Sequence, residues 1–129
     1  MYCVDTTFLI DLFNAEKEAL ALASELEDEE IATTHVNVFE FMSGVYHKKN
    51  ERLTDAALRT ISAFTILDLD TQSTLRAAQI NASLRAKGKP IDSGDCLTAG
   101  ISLSHNCHQI VTRNKKHFEH IEGVEVVSY

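Results

Sequence analysis

Short β-prone runs alternate with helix-length segments along the whole of this 129-residue chain, and that alternation leaves few folds open. Tyr2-Cys3-Val4, Ile31-Ala32-Thr33-Thr34, Phe64 to Leu69, Gln109 to Thr112 and Val124 to Val127 read as strands. Phe8 to Phe13 reads as a helix behind the Thr6-Thr7 hydroxyls, which offer an N-cap. Residues 16 to 28 set Leu20, Leu22, Ala23 and Leu26 among acids, as an amphipathic helix does. Further helices are expected over about Asn37 to His47, Glu51 to Ala63 and Thr71 to Lys87, the last with Leu75, Ala78, Ile80 and Leu84 on its apolar side. Gly88-Lys89-Pro90 is the strongest breaker, and a small-residue helix from Cys96 to Leu103 follows it. Strands alternating with helices imply a parallel sheet covered on both faces. Its crossovers are right-handed, so the carboxyl ends of the strands share one edge.

The length suits one domain spanning residues 1–129, and 44% hydrophobic residues are enough for a packed core. No apolar run approaches the roughly 20 residues that cross a bilayer. Met1 to Asp5 has neither the basic nor the apolar region of an export signal, so a reducing cytoplasm is the expected setting. Cys3 and Cys96 fall in apolar segments and read as small buried residues. His105, Cys107 and His108 match no zinc spacing and read as a polar helix end and loop. The net charge of −7 is unevenly spread. Residues 1 to 30 hold nine acids and one base, while residues 31 to 129 hold ten acids and eleven bases. Those bases cluster as Lys48-Lys49-Arg52, Arg85-Lys87-Lys89 and Arg113-Lys115-Lys116, three groups that form a phosphate-binding rim if they converge.

Asp5, Glu40, Asp95 and Asn114 lie at or beside the apolar runs. Clustered carboxylates repel one another unless a divalent cation stands between them, which points to a magnesium or manganese site that hydrolyses phosphodiesters. Asp5 and Asp95 are the expected main ligands. Glu40 is expected to hold the ion directly or through water, and Asn114 to complete the site. Thr6 and Thr112 are expected to fix the carboxylates from behind. Plainer roles exist for each. Asp5 and Asp95 also suit helix N-caps, and Asn114 a turn. Glu40 sits between Phe39 and Phe41, toward the core side, where an unpaired carboxylate is costly. Asp92 rivals Asp95 as third acid, and Asp68 and Asp70 read as loop and cap residues. By alternation of direction, the Asp95 helix starts near the opposite sheet edge. A looping connection or a helix lying across the sheet would bring Asp95 to the others, and spacing does not choose.

Four blocks carry a resemblance. Val4-Asp5-Thr6-Thr7-Phe8-Leu9-Ile10-Asp11, Val36 to Gly44 with Glu40 as its acid, Asp95-Cys96-Leu97-Thr98-Ala99-Gly100 and Val111-Thr112-Arg113-Asn114-Lys115-Lys116-His117-Phe118 stand in order, with Ile121 to Val124 as a tail. Together they resemble the PIN domain, and within it the VapC-type toxins of prokaryotic toxin–antitoxin pairs. The resemblance implies an α/β/α sandwich with a mostly parallel sheet of four to five strands, in which the aspartate matching Asp95 does reach the metal. It implies a magnesium- or manganese-dependent endoribonuclease, an RNA substrate, an antitoxin partner and a second copy of the chain. Arg85, Lys87, Lys89, Arg113, Lys115 and Lys116 are then the expected RNA contacts. Thr98 and Gly100 depart from the usual Ile and Ala, which should alter helix packing more than chemistry. An RNA-processing nuclease without an antitoxin and a non-catalytic scaffold of the same fold are the nearest alternatives. A phosphoacceptor signalling domain would want an acidic pair after the first strand, where Asp5-Thr6-Thr7 supplies one acid.

Overall fold

The computed structural model describes residues 1–129. Along the chain run β1 (Tyr2–Val4), α1 (Thr6–Phe13), α2 (Lys17–Glu25), β2 (Ile31–Thr34), α3 (His35–His47) and α4 (Glu51–Ser62). There follow β3 (Thr65–Leu67), α5 (Thr71–Ala86), α6 (Ser93–Ser104), β4 (Gln109–Val111), α7 (Lys115–Phe118) and β5 (Glu125–Val127). All five strands pair in parallel in the order β3-β2-β1-β4-β5. The chain builds outward from β1 to β3, then returns to the other side of β1 for β4. The strand order therefore reverses between β1 and β4, which is where open α/β sheets bind ligands.

Side chains alternate across the strands and bury both faces of the sheet. Val4 and Val111 face one way and pack with Phe8, Leu9, Phe41, Met42 and Val45 from α1 and α3. Ile110 faces the other way, among Ile80, Leu84, Cys96, Ala99 and Leu103 of α5 and α6. Cys3, Ala32, Leu67, Ile101 and Cys107 make a third buried group. Helices thus cover both faces, in three layers. All three cysteines are free and buried. No helix is long and apolar enough to cross a membrane.

Three local expectations are corrected. Thr6 and Thr7 lie inside α1, and the N-cap is Asp5, whose carboxylate accepts the Phe8 N–H. The buried face of α5 is Ser73, Ala77, Ile80 and Leu84, while Leu75 is 62% exposed and Ala78 is also exposed. That stripe is narrow because α5 lies very close to α6. A Cβ on Gly100 would stand 2.7 Å from both Ala77 Cβ and Ala77 N, and 2.8 Å from Ser73 O. Lastly, α6 starts at the carboxyl edge of the sheet, not the opposite one. A helix feeding a parallel strand runs against it, so α6 begins at the edge where β4 ends. The preceding α5 runs antiparallel to α6, with Ser73 and Ala77 beside Gly100 and Asn81 beside Cys96, and so hands the chain over at that edge.

Candidate active site

One residue separates β1 from α1, and none separates β2 from α3. Strand-to-helix transitions this abrupt place Asp5, Thr34 and the first turn of α3 directly at the carboxyl edge. Asp5 is 3% exposed. Its Oδ1 accepts from the Thr7 hydroxyl at 2.6 Å and from the Phe8 amide at 3.1 Å. Its Oδ2 accepts from the Thr112 hydroxyl at 2.5 Å, across the gap between β1 and β4. Burial pushes the Asp5 carboxyl up from its ordinary range, and the donors from Thr112, Thr7 and Phe8 pull it part of the way back. A carboxylate has about four acceptor positions. Two are filled on Oδ1 and one on Oδ2, so the remaining one belongs to Oδ2.

Asp95 lies in the first turn of α6, half-buried, with Oδ2 2.8 Å from His117 Nδ1. Burial raises its carboxyl, His117 lowers it, and the charges of Asp5 and Asp92 raise it further. Asp5 and Asp95 therefore share one electrostatic field. Glu40 is exposed, not core-facing, because the buried side of α3 is formed by Asn37, Phe41, Met42 and Val45. Its Oε1 accepts from the Thr6 hydroxyl at 2.9 Å. Its Oε2 would stand 3.4 Å from a Cβ on Gly94, so the Glu40 carboxylate adjoins the residue before Asp95. Asn114 receives a backbone tie, its N–H donating to Thr112 Oγ1 at 2.9 Å, and its side chain does not cap α7. Asp92 is exposed at the N-cap of α6 and forms no side-chain cap bond. Asp70 caps α5 and Asp68 meets His35 at the surface.

The structure thus gathers Asp5, Glu40, Asp95 and Asn114 about one sheet edge, with Thr6 and Thr112 behind them. No three His, Cys, Asp or Glu side chains close into a ready-made cage. His105 and His108 turn to separate backbone carbonyls, and Cys107 is buried. Three participants escaped sequence reasoning. His117 sits one helical turn beyond Asn114, and Asn37 one turn before Glu40. Only the spacing hinted at either.

The third is Asp11. It is 4% exposed and receives Arg113 Nη1 at 3.1 Å and the Tyr129 hydroxyl at 2.7 Å. Burial, then that bond to Asp11, pushes the Tyr129 phenol well above its ordinary range. Arg113 also donates its backbone N–H to Thr7 Oγ1 at 3.1 Å. Asp11 therefore braces the turn after β4 against α1, and the Arg113 guanidinium is already engaged within the chain. Asp11→Ala is expected to cost about 1 kcal/mol, since it removes the partner of a half-buried hydroxyl and one charge-assisted bond to an exposed guanidinium. Urea denaturation would measure this, and an unchanged midpoint would contradict the bracing role.

The basic groups are distributed around this edge unevenly. Lys116 shares an open cleft with Pro90, Ile91, Asp92 and His117. Arg85 lies close enough to Cys96 to favour its thiolate against burial. Lys89 Nζ is 3.3 Å from His120 Nε2. On the other flank, Lys48 lines a hollow with Glu40, Ile10 and Phe13. Lys87 and Lys115 are exposed.

A five-stranded parallel sheet with carboxylates at its order reversal defines an α/β domain whose working face is that edge. Residues 2–124 match the model of the PIN domain, and the chain belongs to that family. Over 66 residues it is 38% identical to the protein named tRNA(fMet)-specific endonuclease VapC from Salmonella typhimurium (strain LT2). That match covers 51% of this chain and 49% of the relative, so it spans about half of each. A DNA-bound VapBC structure from Salmonella typhimurium matches with a TM-score of 0.85 at 27% identity, covering 98% of this chain and 96% of that one. VapBC2 of Rickettsia felis, bound to a DNA fragment from its promoter, matches with a TM-score of 0.89 at 23% identity, covering 99% and 98%. At that identity the second likeness shows the fold alone.

Proposed function

We infer that the chain is a metal-dependent endoribonuclease, a single nuclease domain over residues 1–129 that serves as the toxin of a VapBC-type pair. The observation that carries this reading is the pair Asp5 and Asp95, two carboxylates raised by burial, Asp95 also by the charge of Asp5, at the order reversal of a PIN-family sheet. The endonuclease name of the Salmonella relative and the VapBC structures that share the fold support the substrate class and the pairing.

The donor set fits a magnesium or manganese ion. The charged acceptors left over are Asp5 Oδ2, Asp95 Oδ1 and Glu40 Oε2, beside the neutral side-chain amide of Asn114. Hard cations prefer such ligands, and magnesium keeps several waters, so an open arrangement suits it better than a closed cage. When bound, the ion would lower the pKa of a water and offset charge on the phosphate. The protein's own part is positional. Thr7, Thr112 and the Phe8 amide hold Asp5 as the fixed ligand. His117 holds Asp95 by one oxygen and leaves the other without a hydrogen-bond partner. Glu40, on the solvent side, orients the attacking water, and Asn114 supplies a neutral oxygen or donor. Lys116 and Arg85, with Lys87, Lys89, Lys115 and the free face of Arg113, draw in the phosphate backbone. Phe39 and Tyr46, 73% and 56% exposed on α3, supply apolar surface for an antitoxin or a second copy. The buried free thiols suit a cytoplasmic location.

Cleavage of a panel of structured and unstructured RNAs tests the reading. Cutting with magnesium or manganese is expected, none with chelator, and none from an Asp5→Asn variant that retains the parent's circular dichroism. Cutting that survives chelator would reject the metal. No cutting by folded, antitoxin-free protein across the panel would favour a non-catalytic scaffold.

A further inference from the structure

We propose that Asn37 is a positioning residue that holds the Glu40 carboxylate and the start of the Asp95 helix in register. The proposal rests on the metal-site reading above. Asn37 is 2% exposed, on the inner face of α3, yet every polar atom of its side chain is used. Its Nδ2 donates to Thr6 Oγ1 at 3.0 Å and to Thr98 Oγ1 at 3.1 Å. Its Oδ1 accepts from the Thr34 hydroxyl at 2.7 Å. One amide thereby ties α1, α6 and the end of β2 to α3.

The direction of these bonds matters as much as their number. Thr34 Oγ1 caps α3 by accepting the Asn37 backbone N–H at 3.2 Å, which leaves its own proton for Asn37 Oδ1. That sets the amide with its NH2 toward Thr6 and Thr98 (Thr98 Oγ1 also lies 3.4 Å from Oδ1, the longer contact). A hydroxyl has a single proton. Because Thr6 and Thr98 accept from Asn37, both protons point away from it. The Thr6 proton goes to Glu40 Oε1 at 2.9 Å, and the Thr98 proton to the Gly94 carbonyl at 2.9 Å. A continuous thread thus runs from Glu40 through Thr6, Asn37 and Thr98 to the backbone next to Asp95. Were the amide reversed, both hydroxyls would turn inward to it and Glu40 would lose its donor. Two buried hydroxyls and a half-buried one around a buried amide are not needed for packing, where apolar groups of the same shape serve as well. A fully satisfied network of this kind specifies geometry.

The test uses the full chain and Mn2+ as the probe. Asn37→Leu keeps the branched shape, with somewhat bulkier methyl groups, and removes the hub. Thr98→Val removes one arm with the same shape, and Thr98→Ser restores its hydroxyl. Mn2+ affinity by calorimetry is expected to fall about 10-fold or more in Asn37→Leu and Thr98→Val, the scale at which supporting partners of metal ligands act. Thr98→Ser is expected to stay near the parent. For RNA cleavage, kcat should fall while KM changes little, because the RNA contacts lie elsewhere. If Asn37→Leu does not fold, Thr98→Val with its Ser rescue decides. Folded variants that bind Mn2+ and cleave like the parent would overturn the proposal, as would a melting-temperature loss in Thr98→Val without loss of affinity. A folded parent that itself neither binds Mn2+ nor cleaves would instead sink the metal-site reading, and this proposal with it.

Discussion

Asp95→Asn is expected to abolish cleavage and, in chelator at neutral pH, to make the protein more stable than its parent. Both effects have one cause. The folded chain holds the Asp95 carboxyl above its ordinary pKa, through burial first and the charges of Asp5 and Asp92 as well, with His117 giving only partial relief. Between the ordinary carboxylate pKa and the raised one, the folded state keeps a proton that the unfolded chain releases. Stability therefore falls as pH rises through that window, and at neutral pH the full cost is carried. Asparagine keeps the shape and escapes the cost. The stability difference should shrink as pH drops below the ordinary carboxyl range, where both states are protonated. Saturating magnesium should reverse the ranking. A ligand at 100 times its Kd stabilises by about 2.7 kcal/mol, and only the parent should gain it. Cleavage should fall by more than about 100-fold, beyond the loss typical of supporting residues. Thermal melts with chelator and with magnesium, beside a cleavage assay, measure all three. Near-parental cleavage, or a variant that melts below the parent in chelator, would contradict the assignment.

Gly100→Ala is expected to be the most damaging single-methyl change in the chain. The new Cβ would meet Ala77 N and Ala77 Cβ at 2.7 Å and Ser73 O at 2.8 Å. Two of these are backbone atoms of α5 that cannot rotate away. Overpacking of this sort costs about 1–3 kcal/mol, and the helix propensity gained by replacing glycine returns only about 1 kcal/mol. A net loss of about 1 kcal/mol should lower the melting temperature by roughly 4 °C. Because α6 carries Asp95, spreading α5 from α6 should also weaken manganese binding. Parental melting behaviour would show that the two helices part without strain.

The departures at positions 98 and 100 illustrate how far a residue's identity speaks for its role. Gly100 is a packing residue, as its place in a small-residue helix suggests. Thr98 is more than that. Its hydroxyl bridges Asn37 and the Gly94 carbonyl, and no local pattern reveals a partner 61 positions away. Glu40 shows the converse. Its apolar neighbours Phe39 and Phe41 suggest a core-facing acid, yet Phe39 is 73% exposed and Glu40 lies with it on the outer side. Hydrophobic neighbours mark burial only if the face they share is covered, and that depends on what packs there.

Much was settled locally. The β-prone runs and helical periods determine a layered α/β chain, because pleat and helix repeat differ and each must bury its own apolar face. The Asp5 block is legible because strand, cap and first turn follow one another without a break. Basic residues and breakers can likewise be read in place. Tertiary structure decided which distant groups meet. The strand order β3-β2-β1-β4-β5 sets Thr112 beside Asp5, and the antiparallel α5–α6 pair returns Asp95 to the same edge. Asp11 finds Arg113 and Tyr129, and His117 finds Asp95, only once β4 has docked beside β1. Hydrogen bonds and charge effects act over a few ångströms, so their partners follow from how the chain returns on itself rather than from the spacing along it.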